Sequence, residues 1–125
     1  MSAVTIEGVV KRFGAKTVLG GITLPVESGE IVAIMGSSGG GKTTLLKCIA
    51  ELLVPEEGRI EVDGVDVIAQ PEEARRHMGM VFQSAALFDF LDVRENVLFG
   101  VKRRKRMSAK EANDLTGELL ERVGL

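Results

Sequence analysis

Eight consecutive residues, 36–43, form the most restrictive pattern in the chain. They read Gly-Ser-Ser-Gly-Gly-Gly-Lys-Thr and fit G-x-x-x-x-G-K-[ST] at every fixed position. The apolar run 31–35, bounded by turn residues, predicts a strand buried on both faces, as in a parallel sheet. Apolar residues at helical spacing predict a helix over 42–53. The sequence therefore predicts a strand, a glycine-rich loop and a helix in succession.

These residue types suit the binding of a polyphosphate. Glycine lets the backbone turn so that several N–H groups converge on one concavity, and a helix start adds unpaired N–H groups and partial positive charge. Lys42 supplies a positive charge for the β- and γ-phosphates, and Thr43 supplies a hydroxyl for Mg²⁺. The predicted phosphate-binding residues are Gly36, Ser37, Ser38, Gly39, Gly40, Gly41, Lys42, Thr43 and Thr44.

Other interpretations of the glycine-rich segment fit less well. The dinucleotide pattern G-x-G-x-x-G fails, because from Gly39 and Gly41 its last position falls on Thr44. The guanine-reading pattern N-K-x-D starts at neither asparagine, Asn96 or Asn113, so ATP is favoured over GTP. A flexible surface loop with an incidental lysine is the plainer alternative. A small P-loop kinase stays open on this motif alone.

The composition is that of one ordinary globular domain. The 125 residues are 45% hydrophobic and 27% charged, near globular averages. A net charge of −2 gives no reason to expect a nucleic-acid partner, and no apolar run approaches the roughly 20 residues of a membrane helix. The single cysteine, Cys48, cannot form an internal disulfide and is expected in the core. With no secretory signal at its start, the chain is expected in a soluble, reducing compartment.

The rest of the chain contains signals for short elements. Asp63-Gly64 predicts a hairpin turn, and Ser108 with Glu111 predicts a capping box that opens a last helix. The basic stretch 102–106 is interpreted as a solvated loop rather than a nucleic-acid or lipid contact. The further predicted strands cover residues 4–10, 18–26, 58–63, 65–68 and 78–82, and the further predicted helices cover 71–77 and 93–99.

Five short motifs occur along the chain in a characteristic order. They are Phe13-Gly14, Gly29-Glu30-Ile31, Thr43-Thr44-Leu45-Leu46, Gly58 with Val62-Asp63-Gly64, and Val81-Phe82-Gln83. Together with the phosphate loop they resemble the ATP-binding subunits of ABC transporters. The resemblance implies an α/β P-loop NTPase fold, with a β-rich N-terminal lobe plus the start of a mostly parallel sheet with helices. It also implies ATP and Mg²⁺ as cofactors.

The resemblance assigns roles to individual residues. Phe13 stands where the family places an aromatic side chain, usually tyrosine, that stacks on adenine; a core phenylalanine at a strand end is the alternative. Gln83 corresponds to the glutamine that reaches Mg²⁺ and the surroundings of the attacking water. Lys42 and Gln83 are therefore the expected catalytic residues, and Thr43 and Gln83 the expected metal contacts.

The segment 84–93 corresponds to the part of the family that contacts the transmembrane permease subunit. The expected docking side chains, for which ordinary core is the alternative, are Leu87, Phe88, Phe90 and Leu91. The resemblance also implies a second copy of the ATPase as partner, and a cytoplasmic location, peripheral on the inner face of the cell membrane.

A narrower resemblance concerns the substrate. Residues 82–89, followed by 93–97, are similar to the bacterial group that drives phospholipid traffic, also described as toluene or organic-solvent tolerance transporters. This stretch predicts phospholipid as the transported substrate.

Three later elements of the family do not occur in these residues. They are the Leu-Ser-Gly-Gly-Gln signature, an apolar strand ending in Asp-Glu, and a switch histidine. The resemblance therefore implies that residues 1–125 are the N-terminal part of one ATP-binding domain, with part of its apolar surface exposed. Turnover would need the remainder and a dimer partner, and a nucleotide-binding module without turnover is the alternative for this chain.

Overall fold

Two long antiparallel strands, β1 (Ser2–Phe13) and β2 (Lys16–Glu27), begin the chain in the computed structural model, which describes residues 1–84 and 86–125. Strands β3 (Glu57–Val62) and β4 (Val65–Asp66) complete a sheet of order β2-β1-β3-β4, antiparallel at every described pairing. Both long strands extend the predicted β-rich segments, because the β1–β2 ladder continues through several register shifts.

The turn between β3 and β4 confirms the predicted hairpin. Val62 pairs with Val65, and the two residues between them, Asp63 and Gly64, have φ of 48° and 77°. Positive φ at both central residues is the type I′ arrangement, which matches the twist of the flanking strands.

The core of the first compact unit, Met1–Val81, lies between the sheet and the first helix. Helix α1 spans Lys42–Ile49 and places Leu45 and Cys48 against the strands; Cys48 is fully buried, as predicted, and burial raises the pKa of its thiol. A short helix, α2 (Pro71–Arg76), adds Ala74 to the same core. The buried strand residues of this core are Ile6, Val9, Leu19, Ile60 and Val62.

Two predicted strands do not form. Segments 31–35 and 78–82 do not form strands, and Ile31 and Val81 are each 97% exposed. An extended segment is stable as a strand only when its N–H and C=O groups pair with a neighbour. The sheet of the described residues offers neither segment such a neighbour. The two segments that were expected to start a parallel sheet are therefore unpaired, and they expose apolar side chains.

The second unit, Phe82–Leu125, contains helices α3 (Val93–Lys102) and α4 (Ala109–Arg122). Both begin with a capping box. The predicted one is confirmed, because the Glu111 N–H donates to Ser108 Oγ and the Ser108 N–H donates to the Glu111 carboxylate, both at 3.2 Å. Asp92 and Glu95 form the equivalent pair at α3.

Among the helices of the described residues, none has the length and apolar character that crossing a bilayer requires.

Candidate functional site

The loop before α1 has the backbone conformation that its glycines permit. Gly39 and Gly41 have φ of 80° and 91°, in the left-handed region. A Cβ on Gly41 would lie 2.9 Å from Leu19 Cδ2 and 3.1 Å from the Val18 carbonyl oxygen. The end of the loop is thus packed directly against β2, and a larger residue would have to displace that strand.

The side chain of Lys42 folds back over the loop. Its Nζ donates to the carbonyl oxygens of Gly36, at 2.5 Å, and Ser37, at 2.7 Å. In residues 1–84 and 86–125, Lys42 forms no ion pair with a carboxylate. The ammonium is therefore held at the centre of the loop with its charge not neutralised, which favours an anion there.

The first turn of α1 presents N–H groups without acceptors. The first backbone hydrogen bond of the helix runs from the Leu45 N–H to the Gly41 carbonyl oxygen, at 2.8 Å, and no side chain caps the helix N-terminus. The structure gives no acceptor within its described residues to the N–H groups of Lys42, Thr43 or Thr44. These groups can donate to phosphate oxygens.

The residues expected to contact Mg²⁺ fit that ion as individual donors. The Thr43 hydroxyl is exposed beside the loop, and oxygen donors are what Mg²⁺ prefers. In the described part of the chain, no cluster of three His, Cys, Asp or Glu side chains could hold a metal without a phosphate. Thr43 would thus hold Mg²⁺ together with the oxygens of a bound nucleotide.

Phe13 ends β1 and is half exposed, at 47%. This exposure agrees with a binding surface better than with the alternative of a core side chain. The register places Phe13 two residues beyond Lys11, whose partner on β2 is Leu19, the residue in contact with Gly41. Through the Lys11–Leu19 pair, the end of β1 that carries Phe13 is joined to the strand against which the loop packs.

Lys11 and Glu56, which the sequence did not single out, form an ion pair beside this ring. Lys11 Nζ lies 2.7 Å from Glu56 Oε1 and 5.2 Å from the centroid of the Phe13 ring. The Lys11 ammonium and the Arg12 N–H lower the pKa of the Glu56 carboxyl. A lysine two residues before an exposed aromatic on one strand, and so on the same face, is the signal that could have indicated this contact.

Gln83 and the segment that follows belong to the second unit. Gln83 is exposed. Leu87 and Phe90 are 79% and 77% exposed, so they are not core side chains of this chain. Phe88 contacts Phe90 and Phe99, at centroid distances of 5.4 and 4.6 Å. The segment 84–93 thus presents apolar side chains at its surface, and Ala85 lies outside the described residues.

Asn96 organises this segment. Its Oδ1 accepts from the Phe88 N–H at 2.8 Å, and its two Nδ2 hydrogens are shared among the Phe88, Leu91 and Asp92 carbonyl oxygens, at N···O distances of 3.0 to 3.1 Å. One half-buried amide thereby fixes the turn that leads into α3. No sequence pattern indicates this role, because an asparagine inside a helix usually points to solvent.

We expect Asn96→Ala to loosen the turn at 88–92 and to destabilise the second unit by about 1–3 kcal/mol, since it leaves several backbone groups without partners. The Phe88 amide, whose acceptor is lost, should exchange with solvent at least several times faster in hydrogen-exchange NMR. Asn96→Asp, which keeps an acceptor, should have a smaller effect. Asn113→Ala, at an exposed asparagine that accepts from Arg94, is the control. Equal exchange at Phe88 in all variants would contradict this role.

An apolar cavity of about 490 Å³ lies elsewhere in the first unit. Leu46, Ile49 and Met78 contribute to its wall, and the wall includes no residue of the loop 36–43. It has no basic group besides His77 and is therefore unsuited to a polyphosphate.

Known proteins are similar to this chain in sequence. Residues 19–125 match the model of the ABC transporter family. The sulfate/thiosulfate import ATP-binding protein of Rhodopseudomonas palustris is 43% identical over 98% of this chain and 36% of its own length. The chloroplastic protein trigalactosyldiacylglycerol 3 of Arabidopsis thaliana is 42% identical over 94% of this chain and 35% of its own. The chain thus spans about a third of the length of these relatives.

A solved structure has a similar fold. An ATP-binding cassette, described as a dimer in a post-hydrolysis state bound to ADP and Pi, superposes with a TM-score of 0.84. It is 31% identical, and the alignment covers 94% of this chain and 56% of that one. The family match includes the whole loop 36–43, α1 and the whole second unit, so the chain belongs to the ABC transporter family and has its P-loop NTPase fold.

Proposed function

We propose that this chain binds ATP, with its triphosphate in the loop 36–44 and its adenine against Phe13, as the nucleotide-binding part of an ABC transporter ATPase. The observation that carries the proposal is the Lys42 ammonium, held by the Gly36 and Ser37 carbonyl oxygens beside the unpaired N–H groups of α1. A β- or γ-phosphate oxygen would accept hydrogen bonds both from the Lys42 ammonium and from these N–H groups.

The loop would contribute to hydrolysis mainly by positioning and charge stabilisation. Lys42 would draw negative charge from the γ-phosphate, and the N–H groups of Lys42, Thr43 and Thr44 would hold the β-phosphate in place. Mg²⁺, when bound, would be held by the Thr43 hydroxyl together with the nucleotide and would supply further positive charge beside the triphosphate. Gln83 is proposed to orient the attacking water, with Lys42 as the second catalytic residue. The family relationship favours a transporter ATPase over a small kinase or a binding module without turnover.

The partners proposed are a transmembrane permease subunit and a second copy of the ATPase. The exposed Leu87 and Phe90 in segment 84–93 support the first. The dimer described for the superposed cassette supports the second. The location proposed together with these partners is the cytoplasm, peripheral on the inner face of the cell membrane.

Phospholipid as the transported substrate stays a prediction from residues 82–97. One relative is named for sulfate and thiosulfate import, and another, at nearly equal identity, for trigalactosyldiacylglycerol. Relatedness at this level therefore does not select a substrate class.

The direct test of the proposed function is a calorimetric titration of the folded chain with ATP in the presence of Mg²⁺. We expect saturable binding of one nucleotide per chain, and weaker binding of inorganic tripolyphosphate, which lacks the base. A chain that is folded by circular dichroism but binds neither ligand would contradict the proposal.

We expect Phe13→Ala to weaken ATP binding by about 1–3 kcal/mol, the range found for stacking of a base on an aromatic side chain. Tripolyphosphate affinity should stay unchanged, since that ligand has no base. Both affinities are measured by calorimetry, with the thermal midpoint as control. A fall in stability with unchanged ATP affinity would identify Phe13 as a structural residue instead.

A further inference from the structure

We propose that Lys11 is a positioning residue for base recognition: its ammonium, fixed by Glu56, holds the Phe13 ring in place for stacking. The inference rests on the proposed function and adds a residue to it. The contacts that carry it all lie in the first unit, on β1 and in the turn that precedes β3.

The Lys11 ammonium is fixed from two sides. It donates to Glu56 Oε1 at 2.7 Å and to the Val54 carbonyl oxygen at 2.9 Å, and the side chain is only 12% exposed. Glu56 is itself tied to β1, because its Oε2 accepts from the Arg12 N–H at 2.7 Å and its own N–H donates to the Val10 carbonyl at 2.9 Å. The cation therefore occupies one place relative to the strand that carries Phe13.

That place is against the Phe13 ring. The 5.2 Å from Lys11 Nζ to the ring centroid is within the range of a cation–π contact. The ring has no hydroxyl to anchor it and is half exposed, so this contact limits its rotation. A ring that is already ordered loses less conformational entropy when a base stacks on it.

The proposal is tested by comparing ATP with tripolyphosphate in Lys11→Met, which keeps the length of the side chain and removes its charge. We expect the Kd for ATP to rise about threefold to tenfold, the scale of one cation–π contact. The Kd for tripolyphosphate should be unchanged. Lys11→Arg, which keeps the cation, should restore most of the ATP affinity. Lys16→Met removes the exposed lysine paired with Phe13 in the ladder and is the matched control.

A second measurement separates positioning from general stability. In a Phe13→Ala background, Lys11→Met should add no further loss of ATP affinity, because the ring through which Lys11 acts is gone. The chain contains no Trp and no Tyr, so Phe13→Trp introduces a single indole reporter. Without nucleotide, the fluorescence anisotropy of this indole should fall when Lys11→Met is added.

The results that overturn the inference are distinct from those that overturn the proposed function. Equal loss of ATP and tripolyphosphate affinity in Lys11→Met, or a loss that persists without the Phe13 ring, would assign Lys11 to the structure of the lobe. An unchanged indole anisotropy would show that Lys11 does not limit the motion of the ring at position 13. If the unaltered chain binds neither ligand, the proposed function is wrong, and this inference fails with it.

Discussion

Replacing Lys42 with alanine is expected to raise the Kd for ATP by about 10-fold to 150-fold. The Gly36 and Ser37 carbonyl oxygens hold two of the three ammonium donors, so one is left for a phosphate oxygen. A hydrogen bond to a charged group contributes about 1.5–3 kcal/mol. The substitution also removes the bonds to the Gly36 and Ser37 carbonyl oxygens, at 2.5 and 2.7 Å, which shape the loop. Calorimetry with ATP and with tripolyphosphate measures the effect, and both ligands should be affected equally.

The matched control for this prediction is Lys47→Ala, one and a half turns along the same helix. Lys47 is exposed and lies in the last turn of α1, so its loss removes one positive charge without touching the loop. It should change the Kd less than about twofold, the size of a screened surface charge. ATP affinity that survives Lys42→Ala, or that falls as much in Lys47→Ala, would contradict the assigned role.

The largest expected effect on stability is that of Gly58→Ala. Gly58 has φ of 94°, and a Cβ there would lie 2.6 Å from the Glu7 and Gly8 carbonyl oxygens and from Val9 Cα. These are backbone atoms at the bulge where the β1–β3 register shifts, so they cannot turn aside. Conformational strain of about 1–2 kcal/mol adds to about 1–3 kcal/mol from the overlap. We expect a total loss of about 2–5 kcal/mol in the free energy of unfolding, measured by urea denaturation.

Gly64→Ala separates the two contributions. Gly64 also has positive φ, 77°, but nothing lies within 4 Å of a Cβ placed there. This variant should therefore lose only the conformational part, about 1–2 kcal/mol. If both variants lose the same free energy, the contact at the bulge does not matter and the prediction for Gly58 is wrong.

Features encoded by neighbouring residues were predictable from the sequence. The hairpin turn depends on Asp63 and Gly64 alone, and the α4 capping box depends on two residues three positions apart. The phosphate loop is likewise local, since its glycines, its lysine and the start of α1 are contiguous. In each case the hydrogen bonds form between residues a few positions apart, so the local sequence pattern is sufficient to determine the structure.

Features that depend on distant partners were not predictable. Glu56 meets Lys11 across 45 residues of sequence, and no periodicity relates the two positions. The run 31–35 has the composition of a buried strand, yet composition does not supply the neighbour that a strand requires, and Ile31 is exposed. The four bonds of Asn96 depend on where the 88–92 turn places its carbonyl groups.

The close approach of the loop to β2 has a consequence for how this sequence can vary. Gly41 has no room for a Cβ because Val18 and Leu19 occupy that space. A side chain at position 41 would meet the Val18 carbonyl oxygen whichever residue stands at 18, and the φ of 91° disfavours it further. Substitutions at 18 and 19 therefore do not free position 41, and the hairpin can exchange its side chains there only while the loop keeps its glycine.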